Sequence, residues 1–317
     1  MIEQIDAGDA LSRYVDERET IARYPNRIRD AKRLFPYPLV KHKPKFEITK
    51  ASRIFAIGSC FAMNIESELT GLGMNVLSAS KTVRASTRVK YTTKSILQDL
   101  TVVSETDDMF GSMYRLDDGW RTLNFSASIA KKSQSEDDCR GLIRGYFEHL
   151  ATIESADVVV ITLGLVENWF DNERGRYINV TPPRDIRDQY SFSLHVLSYG
   201  DVLDDLHNIV CAIRKRSSAN ILVTVSPVPL TATFRGQDCM QANMYSKCVQ
   251  RAAIEEVCAN YPFVAYFPSY EMVVMADLEF ALGEKDYRHV KPEMVSHIMR
   301  CVLSDYGIGE SHDRAVA

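Results

Sequence analysis

The chain has no run of apolar residues approaching the roughly 18 that a membrane-spanning helix needs, so no membrane span is expected. It has no long basic run either. Lys131–Lys132 and Arg214–Arg216 are short and read as solvated helix faces, and the formal net charge is −4. Nucleic acid is therefore not expected as a partner. Cysteine is sparse and scattered: there are seven, an odd number, and none form a C-x-x-C pair. A structural zinc site is not expected, and a reducing, cytoplasmic compartment is. No His, Asp and Glu residues stand at metal-ligand spacing, so no metal is expected. The opening MIEQIDAGDA lacks the apolar core of a secretory signal.

What is present is ordinary globular composition over 317 residues, 45% apolar and 25% charged. Residues 1–45 are polar and hold Pro25, Pro36, Pro38 and Pro44. They read as an N-terminal arm carrying one helix and wrapped on a main domain over 46–306, with a C-terminal tail over 307–317. In the main domain, short apolar runs alternate with helical patterns. Arg53–Ile57, Asn75–Leu77, Asp157–Leu163, Asn220–Val225 and Phe263–Phe267 are apolar on both faces, which suits parallel strands covered on both sides. Phe61–Leu72, Val202–Ile213, Gln241–Tyr261 and Pro292–Tyr306 read as helices, the last with proline in its first turn. This alternation predicts an α/β fold with a mostly parallel, doubly wound sheet. Ser80–Ser135 is long, polar and mixed, and is read as an insertion over the sheet's edge.

In open parallel sheets ligands sit beyond the carboxyl ends of the strands. The first strand is followed by Gly58-Ser59-Cys60, the third by Gly164-Leu165-Val166-Glu167-Asn168 and the fourth by Ser226-Pro227. The last is followed by the loop bearing Asp286-Tyr287-Arg288-His289. Gly58 permits a tight turn. Ser59 and Cys60 fall at a helix N-terminus, where free N–H groups favour negative charge and can lower a thiol's pKa. The bland alternative makes Ser59 an N-cap and Cys60 a buried filler. Asp286 and His289 are spaced so that the carboxylate can orient the imidazole. His149, His195, His207 and His297 lack such a setting and read as surface or core residues. Trp169 and Phe170 fit core packing better than a sugar or acyl platform.

These blocks resemble a known family. IFAIGSCFA at Ile54–Ala62 is the signature of the GSCFA domain family, which is similar to the SGNH (GDSL-type) hydrolases. TLGLVENWFD, TVSPVPLTATF, YFPSYEMV and DYRHVKP look like its further blocks, and the resemblance runs over roughly residues 45–305. It implies a flavodoxin-like three-layer α/β/α sandwich and ester or acyl chemistry. Laid on the Gly-Asp-Ser of SGNH enzymes, Ser59 matches the aspartate and Cys60 the nucleophilic serine, while Asp286 and His289 match the Asp-x-x-His. The chain departs from that pattern in placing a thiol at the nucleophile. It also has Val166 where the oxyanion asparagine falls, and no glycine between Ser80 and Thr93. Gly164, Glu167, Asn168 and Ser226 are the remaining candidates for oxyanion or substrate contacts, with Glu167 either a base or an ordinary loop carboxylate. The expected activity is acyl transfer or ester hydrolysis on a carbohydrate or polysaccharide precursor, with acetyl as the expected group. No cofactor is expected to be bound, and an acyl-CoA is the candidate donor. A thioesterase and a catalytically silent saccharide- or partner-binding module are the competing readings.

Overall fold

A computed structural model describes residues 2–17, 21–26, 31–102, 107–283 and 286–308 of the chain. The tail expected over 307–317 lies outside the described residues from 309 onward. The strands are β1 (Arg53–Gly58), β2 (Asn75–Val76), β3 (Met113–Leu116), β4 (Gly119–Thr122), β5 (Val158–Leu163), β6 (Glu167–Asp171), β7 (Arg176–Ile178), β8 (Phe192–Val196), β9 (Asn220–Val225) and β10 (Val264–Tyr266). The helices that matter below are α1 (Ala7–Glu17), α2 (Cys60–Gly71), α3 (Thr93–Thr101), α4 (Glu136–Ala151), α5 (Tyr199–Arg216), α6 (Cys239–Asn260), α7 (Ser269–Met275) and α8 (Pro292–Asp305).

Five strands form the central sheet in the order β10-β9-β5-β1-β2, all neighbours parallel. Counted along the chain this is the 2-1-3-4-5 order of flavodoxin-like folds, with the strand order reversing between β1 and β5. Every residue of β5 is buried, as its unbroken apolar run predicts. Along β1 the side chains alternate. Phe55 and Ile57 enter a core under α3, α4, α5 and α6, while Ile54 and Ala56 enter a second core under α2, α7 and α8. The fold is a three-layer α/β/α sandwich. Each fully buried residue such as Ile161 or Phe61 contributes about 1.5–3 kcal/mol by leaving water.

Two antiparallel pieces complete the molecule. The hairpin β3–β4 and the sheet β7-β6-β8 share a third core of Tyr114, Leu116, Leu123, Ile178 and Ile186. The 80–135 region does more than cross an edge. Val89 bridges Gly58 in parallel fashion, Lys90 N donates to Gly58 O at 2.7 Å, and Leu165 N donates to Tyr91 O at 2.9 Å. This segment lies beside the carboxyl end of β1, in the space left by the two-residue β2. Below it Lys90, fully buried, is 2.6 Å from Asp99 Oδ2 and donates to Asn124 O at 2.7 Å.

In the N-terminal region, α1 buries no residue. Further on, Tyr37 stacks on His297, which donates from Nε2 to Pro38 O at 3.0 Å, and His42 Nδ1 is 2.9 Å from Asp305 Oδ2. That stretch runs along α8. Among the described residues no helix is long and apolar enough to cross a membrane.

Candidate active site

β1 and β5 pair in parallel, and Gly58 stands opposite Thr162. A Cβ on Gly58 would stand 2.2 Å from Thr162 O, and its φ is +136°, a conformation open to glycine alone in practice. The chain then turns into α2. Ser59 is 3% exposed. Its N–H donates to Thr162 O at 3.0 Å, its Oγ shares a hydrogen bond with Thr162 Oγ1 at 3.0 Å, and Phe61 N donates to that Oγ at 3.3 Å. Ser59 is thus the N-cap of α2 and a clamp between β1 and β5, and its hydroxyl is committed.

Cys60 is the first residue of α2 and remains partly open to solvent. Burial pushes its thiol pKa up. Arg288 and Lys247 oppose that shift, as do the N–H groups of Cys60 and Phe61, but burial prevails. The lowered pKa expected from the helix N-terminus alone is therefore corrected: the helix end and both cations act in the expected direction, and desolvation outweighs them.

Lys247 and Arg288 act on the thiol electrostatically from separate elements. Lys247, on α6, is 0% exposed and donates from Nζ to Gly164 O at 2.6 Å. Burial pulls its pKa down, and the Cys60 thiolate pulls it back upward. Arg288 donates from Nε and Nη2 to Pro229 O at 3.4 and 3.3 Å, tying the last loop to the one after β9. In that last loop Asp286 is the organiser. Its Oδ1 accepts from Arg288 N at 3.0 Å and His289 N at 3.1 Å, and its Oδ2 pairs with His289 Nδ1. Those bonds hold the carboxyl down at about 2. The His289 ring is 64% exposed, and no hydrogen bond joins it to Cys60 among the described residues. The Asp286–His289 pair is formed, and Arg288 of the same loop acts on the thiol electrostatically.

The other candidates resolve differently. Gly164 packs at the switch point, where a Cβ would meet Tyr91 O at 2.5 Å and Ser59 Cβ at 3.4 Å. The N–H groups that follow it are used within the protein: Leu165 N by Tyr91 O at 2.9 Å and Val166 N by Ser246 Oγ at 3.1 Å. Asn168 is buried and donates from Nδ2 to Val166 O at 2.9 Å, which uses one of its two amide N–H groups within the protein. Ser226 is buried, its N–H donating to Leu163 O at 2.8 Å and its Oγ accepting from Val228 N at 3.4 Å, which makes it a turn residue. Glu167 is buried, its Oε1 accepting from Thr233 Oγ1 at 2.6 Å and its Oε2 from Phe234 N at 3.1 Å. Those two bonds make it an anchor of the loop after β9. Glu167→Ala should speed amide exchange at Phe234 at least tenfold and leave the alkylation rate of Cys60 unchanged. A slowed Cys60 would instead return Glu167 to the site.

Trp169 donates from Nε1 to Thr181 Oγ1 at 3.1 Å and packs edge-on to Phe234, while Phe170 stacks on His195. A cavity of about 1020 Å³ lies elsewhere, between α3, α4 and α5, and no candidate site residue lines it. Among the described residues no three His, Cys, Asp or Glu side chains are grouped to hold a metal ion.

Sequence reasoning missed Lys247 and gave Arg288 no role. A signal for Lys247 exists: the buried stripe of α6 runs back from Val257, Ile254 and Ala253 to Gln250, Lys247 and Ser246, so polar residues continue an apolar face.

Among known proteins, the family model described as the GSCFA family matches residues 53–302, most of the chain and all of the elements that build this site. No curated protein matches it.

Proposed function

The chain belongs to the GSCFA family, and from that premise we propose that it transfers or hydrolyses an acyl group through a thioester on Cys60. The observation that carries this reading is a half-open thiol at a helix N-terminus and a topological switch point, flanked by Lys247 bonded to Gly164 O and Arg288 bonded to Pro229 O, whose charges both favour its thiolate. Such a setting stabilises a thiolate as it forms. In the proposed cycle the Cys60 thiolate attacks the carbonyl of an acyl thioester. The donor's thiol sulfur leaves and takes up the proton that His289 accepted from the Cys60 thiol, and the acyl group remains on Sγ. A hydroxyl then attacks the thioester, giving its proton to His289, and the Cys60 thiolate is released. Arg288 is the candidate to stabilise the oxyanion in both steps, since the N–H groups after Gly164 are already used. An acyl-CoA is the donor class, acetyl the simplest group, and a saccharide hydroxyl the acceptor that the sequence resemblance suggests. With water as acceptor the same cycle is hydrolysis.

One observation favours a second reading. The resting thiol is pushed toward its neutral form and has no hydrogen bond from His289, as would suit a silent module that binds a saccharide or partner in the same crevice. Intact mass spectrometry after incubation with acetyl-CoA separates the two. An acetyl adduct is expected on the native chain and absent from Cys60→Ala. If neither chain forms an adduct or hydrolyses p-nitrophenyl acetate, the binding module is the better description. Hydrolysis undiminished in Cys60→Ala would remove Cys60 as nucleophile.

A further inference from the structure

Two cations among the described residues, one fully buried and one nearly so, have carboxylate partners. Lys90 stands 2.6 Å from Asp99, and Arg88 is paired with Glu66. Lys247 breaks the pattern. It is 0% exposed, yet among the described residues no carboxylate lies within ion-pair distance of it, and its Nζ bond goes to a neutral carbonyl, Gly164 O at 2.6 Å. Gln250, one turn further along α6, is also buried with both amide atoms unpartnered, and it brings no charge. An ammonium taken out of water without a counter-charge is costly. The Cys60 thiol shares this corner of the fold, since it starts α2 one residue after Ser59, itself packed against Gly164.

We propose that Lys247 is the positioning residue of Cys60: its ammonium is the counter-charge of the half-buried thiolate, and the two groups titrate as a coupled pair. The proposal rests on the reading of Cys60 as the nucleophile and adds the group that sets its charge. The charged and titratable groups around the pair are few. Arg288, from the last loop, favours the thiolate and repels the Lys247 ammonium, while the Tyr91 phenol, from the 89–92 segment, is raised by burial and then by Cys60 and stays neutral. His289 follows Arg288 in the same loop and is open to solvent. Removing the positive charge of Lys247 removes a stabiliser of the thiolate, so the Cys60 titration must move up in pH. By linkage, removing the thiol must move the Lys247 titration down.

The test is the pH dependence of Cys60 alkylation by iodoacetamide, followed by peptide mass mapping on the full chain. Lys247→Met should shift the midpoint upward by about one pH unit or more, a roughly tenfold loss of thiolate below it. Lys247→Arg, a permanent cation, should hold the midpoint at or below that of the native chain. A merely structural role would not move a titration midpoint, and equal midpoints in the native chain and Lys247→Met would overturn the proposal. Should Lys247→Met fail to fold, the reciprocal measurement decides it: NMR titration of the Lys247 side chain in Cys60→Ala. A downward shift against the native chain supports the pair, and no shift overturns it. Alkylation needs no acyl chemistry, so the two readings fail separately. A Lys247-dependent midpoint without an acetyl adduct sinks the acyl reading alone, and an adduct with a Lys247-independent midpoint sinks the pair alone.

Discussion

Gly58→Ala is expected to yield little folded protein. The added Cβ would stand 2.2 Å from Thr162 O, 2.7 Å from Thr162 Oγ1 and 2.8 Å from Thr162 N, all on a strand buried along its whole length. None of these atoms is the far end of a flexible side chain, so β1 and β5 would have to separate. Their separation breaks the Ser59 bonds to Thr162 O and Oγ1, and α2 loses its fixed start. The φ of +136° adds backbone strain of about 1–3 kcal/mol for alanine. With the steric conflict, the total should exceed about 4 kcal/mol, a large part of the roughly 5–15 kcal/mol that holds a domain together. Gly73→Ala is the control. It has φ +79° but nothing within 4 Å of the added carbon, so it should cost only about 1–2 kcal/mol. Denaturant unfolding of both variants checks the contrast. A Gly58→Ala chain as stable as Gly73→Ala would mean that the switch point is far more yielding than its packing implies.

The same two strands show how far the sequence could be read. An apolar run with no polar interruption, such as VVVITL, has one economical use, a strand covered on both faces, and β1, β5 and β9 lie within a residue of the runs that announce them. The helices α2, α5, α6 and α8 were legible from their 3.6-residue stripes for the same reason. The sheet β7-β6-β8 was not legible. Its strands are half-buried and carry Glu167, Asn168, Asp171, Arg176 and His195, so neither a clean period of two nor an apolar run marks them. They are held by a small local core and by side-chain bonds that only the fold brings together. At the site, short-range signals survived: the glycine turn, the cap, and the Asp286–His289 spacing. What could not be read was the balance at Cys60, because desolvation and the arrival of Lys247 and Arg288 depend on contacts across the whole chain. From sequence Glu167 reads as either a base or an ordinary loop carboxylate, and its anchoring bonds to Thr233 and Phe234 are long-range contacts that no local pattern announces.

Asp286→Ala should lower acyl transfer by about 10²–10⁴-fold, the range carried by an oriented acid–base group. The carboxylate does two separable things. Through Oδ1 it accepts from Arg288 N and His289 N and so shapes the turn, in which Tyr287 adopts a φ of +47°. Through Oδ2 it fixes the His289 ring and stabilises the cation that forms when the ring takes a proton. Asp286→Asn keeps an oxygen for the turn and loses the charge. It should therefore leave Cys60 alkylation near the native rate, since Arg288 stays bonded to Pro229 O, yet still lose at least tenfold in transfer. The sign of the pH dependence follows from the bonds. The folded carboxyl is depressed to about 2, below its unfolded value of about 3.9. Its stabilising effect is thus fully present above roughly pH 4 and is lost as pH falls toward 2. Any loss of activity between about pH 4 and 7 must then come from another group, since in this range Asp286 stays charged. NMR titration of the Asp286 carboxyl and the transfer rates of the two variants test both halves. Full transfer in Asp286→Asn would reduce the pair to a turn device and leave Lys247 and Arg288 as the groups that govern the thiol.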